Sequence, residues 1–292
     1  RAVSGSWYPT AWKQQASTDR LNQCMRWDRQ TARPKYPLQQ RARMLRSSTS
    51  FSSADQVALL DLLDNAQRHA PDNYVRVLRQ MGVDLVYGPA TISLPNVAAP
   101  AEAIGTDARC WRLDNPQPRA WIVHAATFLE PLTTYDRSEL RRRTHDVLMP
   151  NNRPRDLNEQ VVIEATPTPR TPPAVESGSS RVGRDVCRVR SVRGARKRID
   201  AQLANPGWLV VNDNFAPGWM AVIRSRERTW HTAVLRANRV MQAIALPAGT
   251  HEVTLVYRPP LIAWGLCISC VSVLVLAATA LVAKRTTPAA MR

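Results

Sequence analysis

The residues best placed to do chemistry gather around one turn. Asp213 lies in Val211-Asn-Asp-Asn-Phe215, just before Pro217-Gly218, and Trp219 follows directly. An acid at such a turn can bind sugar hydroxyls, and the aromatic ring beside it can act as a ligand platform. Asp213 and Trp219 are therefore the candidate ligand-binding residues. A structural reading competes with this one, because Asn and Asp before Pro-Gly are turn formers. Pro217 fixes the turn, Gly218 permits a positive φ, and Trp219 then opens the next strand as a large apolar anchor between two sheets.

Elsewhere the chain offers no catalytic signature. It has no HExxH helix, P-loop, GxGxxG turn or GxSxG elbow. His69, His124, His145, His231 and His251 are dispersed, and none has a second ligand at a metal-binding spacing. No catalytic residue, cofactor or metal is assigned. Cys267 and Cys270 have C-x-x-C spacing but sit in an apolar run, so they are neither a redox nor a zinc motif. Cys24, Cys110 and Cys187 are an odd set, compatible with one bridge and a free thiol or with three unpaired thiols.

The elements that must position the turn are read from periodicity. Residues 1–50 have no sustained period; Trp7, Tyr8, Trp12 and Trp27 are suited to burial against a larger body or to a membrane interface. Ser53 and Gln56 form a capping box ahead of Val57, Leu59, Leu60, Leu63 and Ala66, which predicts a helix near 53–66. A second helix is expected near 72–81, ended by Gly82, with a strand over Val83–Tyr87. From Cys110 onward the chain reads as β. The strand signals are Arg119–His124, Gln160–Glu164, Val186–Val192, Arg198–Leu203, Trp208–Asn212, Trp219–Arg224 and Thr229–Ala237, then a hairpin of Val240–Leu246 and His251–Tyr257. Their spacing points to an antiparallel β-sandwich over 106–257. The Pro-rich stretch 165–185 is expected to be a loop, with recognition by a polyproline-binding partner as the alternative.

Leu261–Ala283 is a run of 23 uncharged, mostly apolar residues, long enough as a helix to span the ~30 Å bilayer core. Lys284, Arg285 and Arg292 follow the run and Arg258 precedes it, so the tail 284–292 is expected in the cytoplasm and the bulk of the chain outside. Gly265, Ser269, Ser272, Thr279 and Ala283 share one face of this helix, a pattern suited to close packing on other membrane helices. The chain opens on Arg1-Ala2-Val3 without an export signal, so it is expected to be the C-terminal part of a longer multispanning protein.

The net charge is +17, yet only four of the forty basic residues are Lys. Such an excess of Arg suits anionic partners, or it is a compositional bias spread over solvated faces. The densest group, Arg188, Arg190, Arg193, Arg196, Lys197 and Arg198, is interleaved with Val and Ala. It fits a strand pair with a charged outer face and a turn at least as well as a phosphate site.

Trp208-Leu-Val-Val-Asn-Asp-Asn-Phe-Ala-Pro217-Gly218-Trp219, then Ala237-Asn238, Leu246-Pro-Ala-Gly-Thr-His251 and Tyr257-Arg-Pro259, resemble in order the C-terminal region of the YfhO family of bacterial multispanning membrane proteins. The likeness covers roughly 186–284; Pro118-Arg119-Ala120, Arg26-Trp27-Asp28 and Pro34-Lys35 extend it weakly. The chain departs from the family pattern at Ile223-Arg224-Ser225-Arg226 and at Ala216. The resemblance implies a glycosyltransferase-like protein of the bacterial inner membrane, using polyprenyl-phosphate sugars to decorate cell-surface polymers. Its catalytic acid would lie in an early outer loop, upstream of these residues. The expectation is an α+β chain with three parts: a helical region over 1–105, the sandwich, and one transmembrane helix over 261–283. It would serve as an accessory outer domain whose partners are the bilayer, upstream helices of the same protein, polyprenyl-phosphate sugar and surface glycan, and not nucleic acid. The alternative is a non-catalytic module that binds envelope partners or glycans.

Overall fold

The computed structural model describes residues 2–4, 17–30, 44–45, 53–91, 94–95, 97, 102–104, 107–133, 136–166, 185–193, 196–226 and 228–286. Trp7, Tyr8, Trp12, Pro34-Lys35, residues 167–184 of the Pro-rich stretch and tail residues 287–292 lie outside them. The chain runs β1 (Ala2–Ser4), α1 (Arg20–Gln30), α2 (Ala54–His69), α3 (Pro71–Gln80), β2 (Leu85–Pro89), β3 (Glu102–Ile104), β4 (Ala108–Arg112), β5 (Ala120–Val123) and β6 (Ala125–Leu129). It continues with α4 (Arg137–Leu148), a 3-10 turn (Pro150–Asn152), β7 (Gln160–Glu164), β8 (Val186–Arg193), β9 (Arg196–Leu203), β10 (Gly207–Val211) and β11 (Trp219–Arg224). The last elements are β12 (Thr229–Ala233), β13 (Leu235–Ala237), β14 (Met241–Leu246), β15 (Gly249–Tyr257) and α5 (Pro260–Thr286).

Two sheets form the sandwich. One has the order β5-β10-β14-β13-β7-β6 and the other β12-β11-β15-β9-β8. A smaller sheet, β1-β2-β4-β3, stands with the helices. Strand β10 shows how the layers meet, since all five of its residues are buried. Trp208 and Val210 join a core shared with α2, α3 and α4, while Leu209 and Val211 join the core between the two large sheets. A strand flanked on both faces must be apolar at both parities, and Gly207-Trp-Leu-Val-Val211 is.

The helix ends follow local chemistry. Ser53 Oγ accepts the Gln56 N–H at 3.2 Å at the start of α2. The Gln56 side chain does not close the box; its amide donates to the Leu45 carbonyl at 2.7 Å, and its oxygen accepts from Asn214 at 2.9 Å. Gly82 takes a left-handed φ of 66° after α3, and a Cβ there would stand 2.8 Å from the Gln117 carbonyl.

The structure corrects the sequence reading in four places. Residues 137–148 are the helix α4, where continuous β was expected; Asp136 caps it by accepting the Ser138 N–H. Its buried positions are few, Leu140, Thr144, Val147 and Leu148, so its periodicity is faint amid Arg and Glu. The stretch 229–237 is two strands in two different sheets, parting at buried Val234. Cys110 and its strand β4 belong to the small sheet, so the sandwich begins at β5 rather than at 106. Finally, β6 and β7 pair in parallel within the otherwise antiparallel sandwich. At the C-terminus α5 is 27 residues long. Its side chains are described over 265–280, and among the described residues no helix is long and apolar enough to cross a membrane.

The turn between β13 and β14 holds the buried charge of the fold. Asn238 and Arg239 both adopt positive φ, 44° and 68°. Asn238 mimics a ladder pair with β7, its backbone N–H donating to the Val162 carbonyl at 2.8 Å and its side-chain Oδ1 accepting the Val162 N–H at 2.9 Å. The Arg239 side chain is fully buried; it grips both oxygens of Glu164 at 2.5 and 2.7 Å and donates to Asp55 at 2.5 Å. Removing one partner of such a pair typically costs ~3–5 kcal/mol, because the other charge is left buried alone. Arg239→Met is therefore expected to lower unfolding stability by about that amount in denaturant titration of the full chain in detergent, and Arg239→Met with Glu164→Gln to recover part of it. Unchanged stability in the single variant would remove the network from its structural role.

Candidate functional site

The structure brings Asp213 and Trp219 to the same buried lysine. Asp213 follows β10, behind Asn212, whose side-chain amide donates to the Gln80 carbonyl at 3.2 Å at the end of α3. Its Oδ2 is 3.0 Å from Arg119 Nη2 and 3.0 Å from Lys197 Nζ. Lys197 is 4 % exposed and also donates to Gln242 Oε1 at 3.1 Å. Gln242 in turn donates to the Asn214 carbonyl at 2.9 Å. The Lys197 ammonium stands 4.1 Å from the centre of the half-buried Trp219 ring, which packs against Tyr257 with centroids 5.1 Å apart.

This is a closed ion-pair node more than an open catalytic acid. Two cations engage one carboxylate oxygen, while the Trp219 ring, itself packed on Tyr257, lies over the ammonium. Sequence reasoning found two members of the node and missed Lys197. The missing signal was parity: along β9, Lys197 shares the inward side with Ile199, Ala201 and Leu203.

A second polar node joins β5 to the segment before β8. His124 Nε2 lies 2.6 Å from Asp185 Oδ2, and Nδ1 lies 3.0 Å from the Pro206 carbonyl. Gly207 makes this approach possible, since a Cβ there would stand 2.8 Å from His124 Nδ1. Both ring nitrogens face acceptors, so only the doubly protonated ring donates to both. Partial burial alone would lower the His124 pKa, but the hydrogen bonds to Pro206 and Asp185 outweigh it and raise the value above its ordinary 6.5.

Two clefts remain. One of ≈ 530 Å³ is lined by α2 and α4, including Asp61, His69, Arg141 and His145. The hydrogen bond from Arg141 holds Asp61 below the usual carboxylate range despite its burial, with Arg137 adding to the effect. The other, of ≈ 580 Å³, lies between the β11–β12 and β14–β15 turns, where the Arg228 guanidinium sits 4.8 Å from the centre of the Trp230 ring. His231 lies on the exposed side of β12. All five cysteines are unbridged, and burial, helped by nearby Asp200, pushes the Cys187 thiol up to about 11. Among the described residues no group of three or more His, Cys, Asp or Glu is placed to hold a metal. No family profile, curated protein or solved structure matches the chain.

Two outcomes follow from the nodes. Trp219→Ala removes half-buried apolar surface, an aromatic pair and a cation–π contact, and is expected to cost about 2–4 kcal/mol in thermal or denaturant unfolding. Wild-type stability together with lost glycan binding would make the ring a ligand platform instead. For His124 the raised folded pKa means its contribution is complete below the unfolded value of 6.5 and is lost as pH rises through the folded value. The melting-temperature difference between wild type and His124→Gln should therefore shrink from acid to alkaline pH; a difference that grows would reverse the assignment.

Proposed function

We propose that the chain is an extracytoplasmic accessory domain followed by the last membrane helix of a bacterial inner-membrane protein similar to the YfhO family. That protein would use polyprenyl-phosphate sugars to modify surface polymers, with its active site outside these residues. One observation carries the membrane reading: on α5 the side chains of Leu266, Ile268, Val271, Val273, Leu274, Val275 and Leu276 are each more than half exposed. A helix showing apolar residues on every side has no stable place in water and suits lipid. Its hydroxyls support the same reading, because Ser269 donates to the Gly265 carbonyl at 2.8 Å and Ser272 to the Ile268 carbonyl at 2.9 Å. In hydrocarbon every polar group needs such an internal partner. The side chains of α5 are described over 265–280, and the apolar sequence run extends on both sides of that stretch.

The assignment as an accessory domain rests on the engaged state of Asp213, whose Oδ2 is held by Arg119 and Lys197. A general acid or base needs a free site facing its substrate. The second reading, a non-catalytic glycan- or envelope-binding module, is favoured by the open cleft at Trp230 and Arg228. Topology is the test of the membrane reading. A fluorescent reporter fused after Arg292 is expected to light up in the cytoplasm, and a periplasmic phosphatase fused there to stay inactive. The opposite pattern would put the sandwich in the cytoplasm and overturn the surface-polymer function.

A further inference from the structure

We propose that the end of the sandwich nearest α5 is a docking collar for anionic lipid headgroups; this rests on the reading of α5 as a membrane helix. Strand register supplies the geometry. Tyr257 ends β15 directly before Arg258-Pro259 and α5. Trp219 pairs with Tyr257, Met220 and Arg196 both pair with Val256, and Arg198 pairs with Thr254. The basic strand β9 thus begins level with the start of α5. At ~3.3 Å per strand residue, Arg198 stands only about 10 Å above the level of Tyr257.

The side chains at that level match a bilayer surface in two respects. Trp219 and Tyr257 form a half-buried aromatic pair at the end of the inter-sheet core, and Met220 and Val192, each 37 % exposed, leave aliphatic surface open there. Arg196, Arg198 and Arg258 are exposed and have no ion-pair partner among the described residues. The first acids, Asp200 and Glu252, oppose each other farther along the sheet, and Asp200 is already engaged by Arg190. Charge is therefore graded along the strands: Arg next to α5, mixed charge beyond. Aromatic rings beside Arg at the end of an apolar helix are suited to the headgroup layer. All three Arg lie within about one Debye length of its level, close enough to feel an anionic surface. Each Arg so placed contributes about a fivefold gain in the docked state.

The test uses the full chain in lipid nanodiscs, either purely zwitterionic or containing phosphatidylglycerol, with hydrogen exchange read over residues 186–203. Slower exchange near the β8–β9 turn is expected only in the anionic discs. The triple variant Arg196→Gln, Arg198→Gln, Arg258→Gln should lower the docked population roughly a hundredfold and erase that protection without changing the melting temperature. Protease protection of α5 separates the two ideas. A protected α5 with no lipid-dependent exchange overturns the collar and leaves the membrane reading standing. An unprotected α5 in both discs overturns the membrane reading and the collar with it. Protection by an added oligonucleotide, with none from phosphatidylglycerol, would assign the Arg surface to nucleic acid and overturn the proposal.

Discussion

The fold depends on one charge taken out of water. Arg239 is fully buried, and its guanidinium is balanced by Glu164 on β7 and Asp55 in the first turn of α2. Arg236 shares Asp55 and lies with its guanidinium 5.0 Å from the centre of the Phe215 ring. These groups come from segments far apart in sequence, and none is satisfied until all are present. A helix, a sheet strand and a tight turn are thereby assembled together. Apolar contacts alone would let α2 slide over the sheet at small cost, whereas Asp55, with Oδ1 on Arg239 Nη2 and Oδ2 on Arg236 Nη1, has one register. The left-handed backbone at Asn238 and Arg239 belongs to the same constraint: it costs ~1–2 kcal/mol per residue, and it aims both side chains at β7.

The second constraint is the two-sided strand β10. Its odd and even residues serve different cores, so helices and outer sheet are joined through one central element. The loop that leaves it does the rest of the joining. Asn212 binds the end of α3, Asp213 binds Arg119 and Lys197, and Asn214 binds Gln56. The segment that reads as a candidate ligand loop is thus also the place where all three layers are tied.

Much of this was legible in the sequence, and the reasons differ by element. The cap at Ser53, the Gly82 stop and the period-two pattern of β15 are local, so local rules found them. The Arg and Val interleaved around 188–198 suited a strand pair at least as well as a phosphate site, and β8 and β9 form the pair. What escaped depends on distant partners. The helix α4 buries only a narrow stripe, and the split at Val234 carries no Gly, Pro, Asn or Asp to mark it, so 229–237 reads as one strand. Lys197 and Arg239 looked like two more basic residues in a chain that has forty. Their roles come from Asp213, Glu164 and Asp55, and no short-range pattern joins those positions. For the candidate site, two residues were legible by type; the ion that connects them was not.

The backbone bond from the Arg258 N–H to the Gly218 carbonyl, at 2.9 Å, has a mechanical consequence. It clamps the start of α5 to the Pro217-Gly218 turn within two residues of the last strand, so no slack linker separates helix from sheet. Pro259 and Pro260 stiffen the junction further by fixing φ. A tilt or rotation of α5 is thus delivered as torque to β11 and β15, and through Trp219 and Lys197 to the Asp213 loop. The junction between sandwich and helix is thus a short, stiffened one.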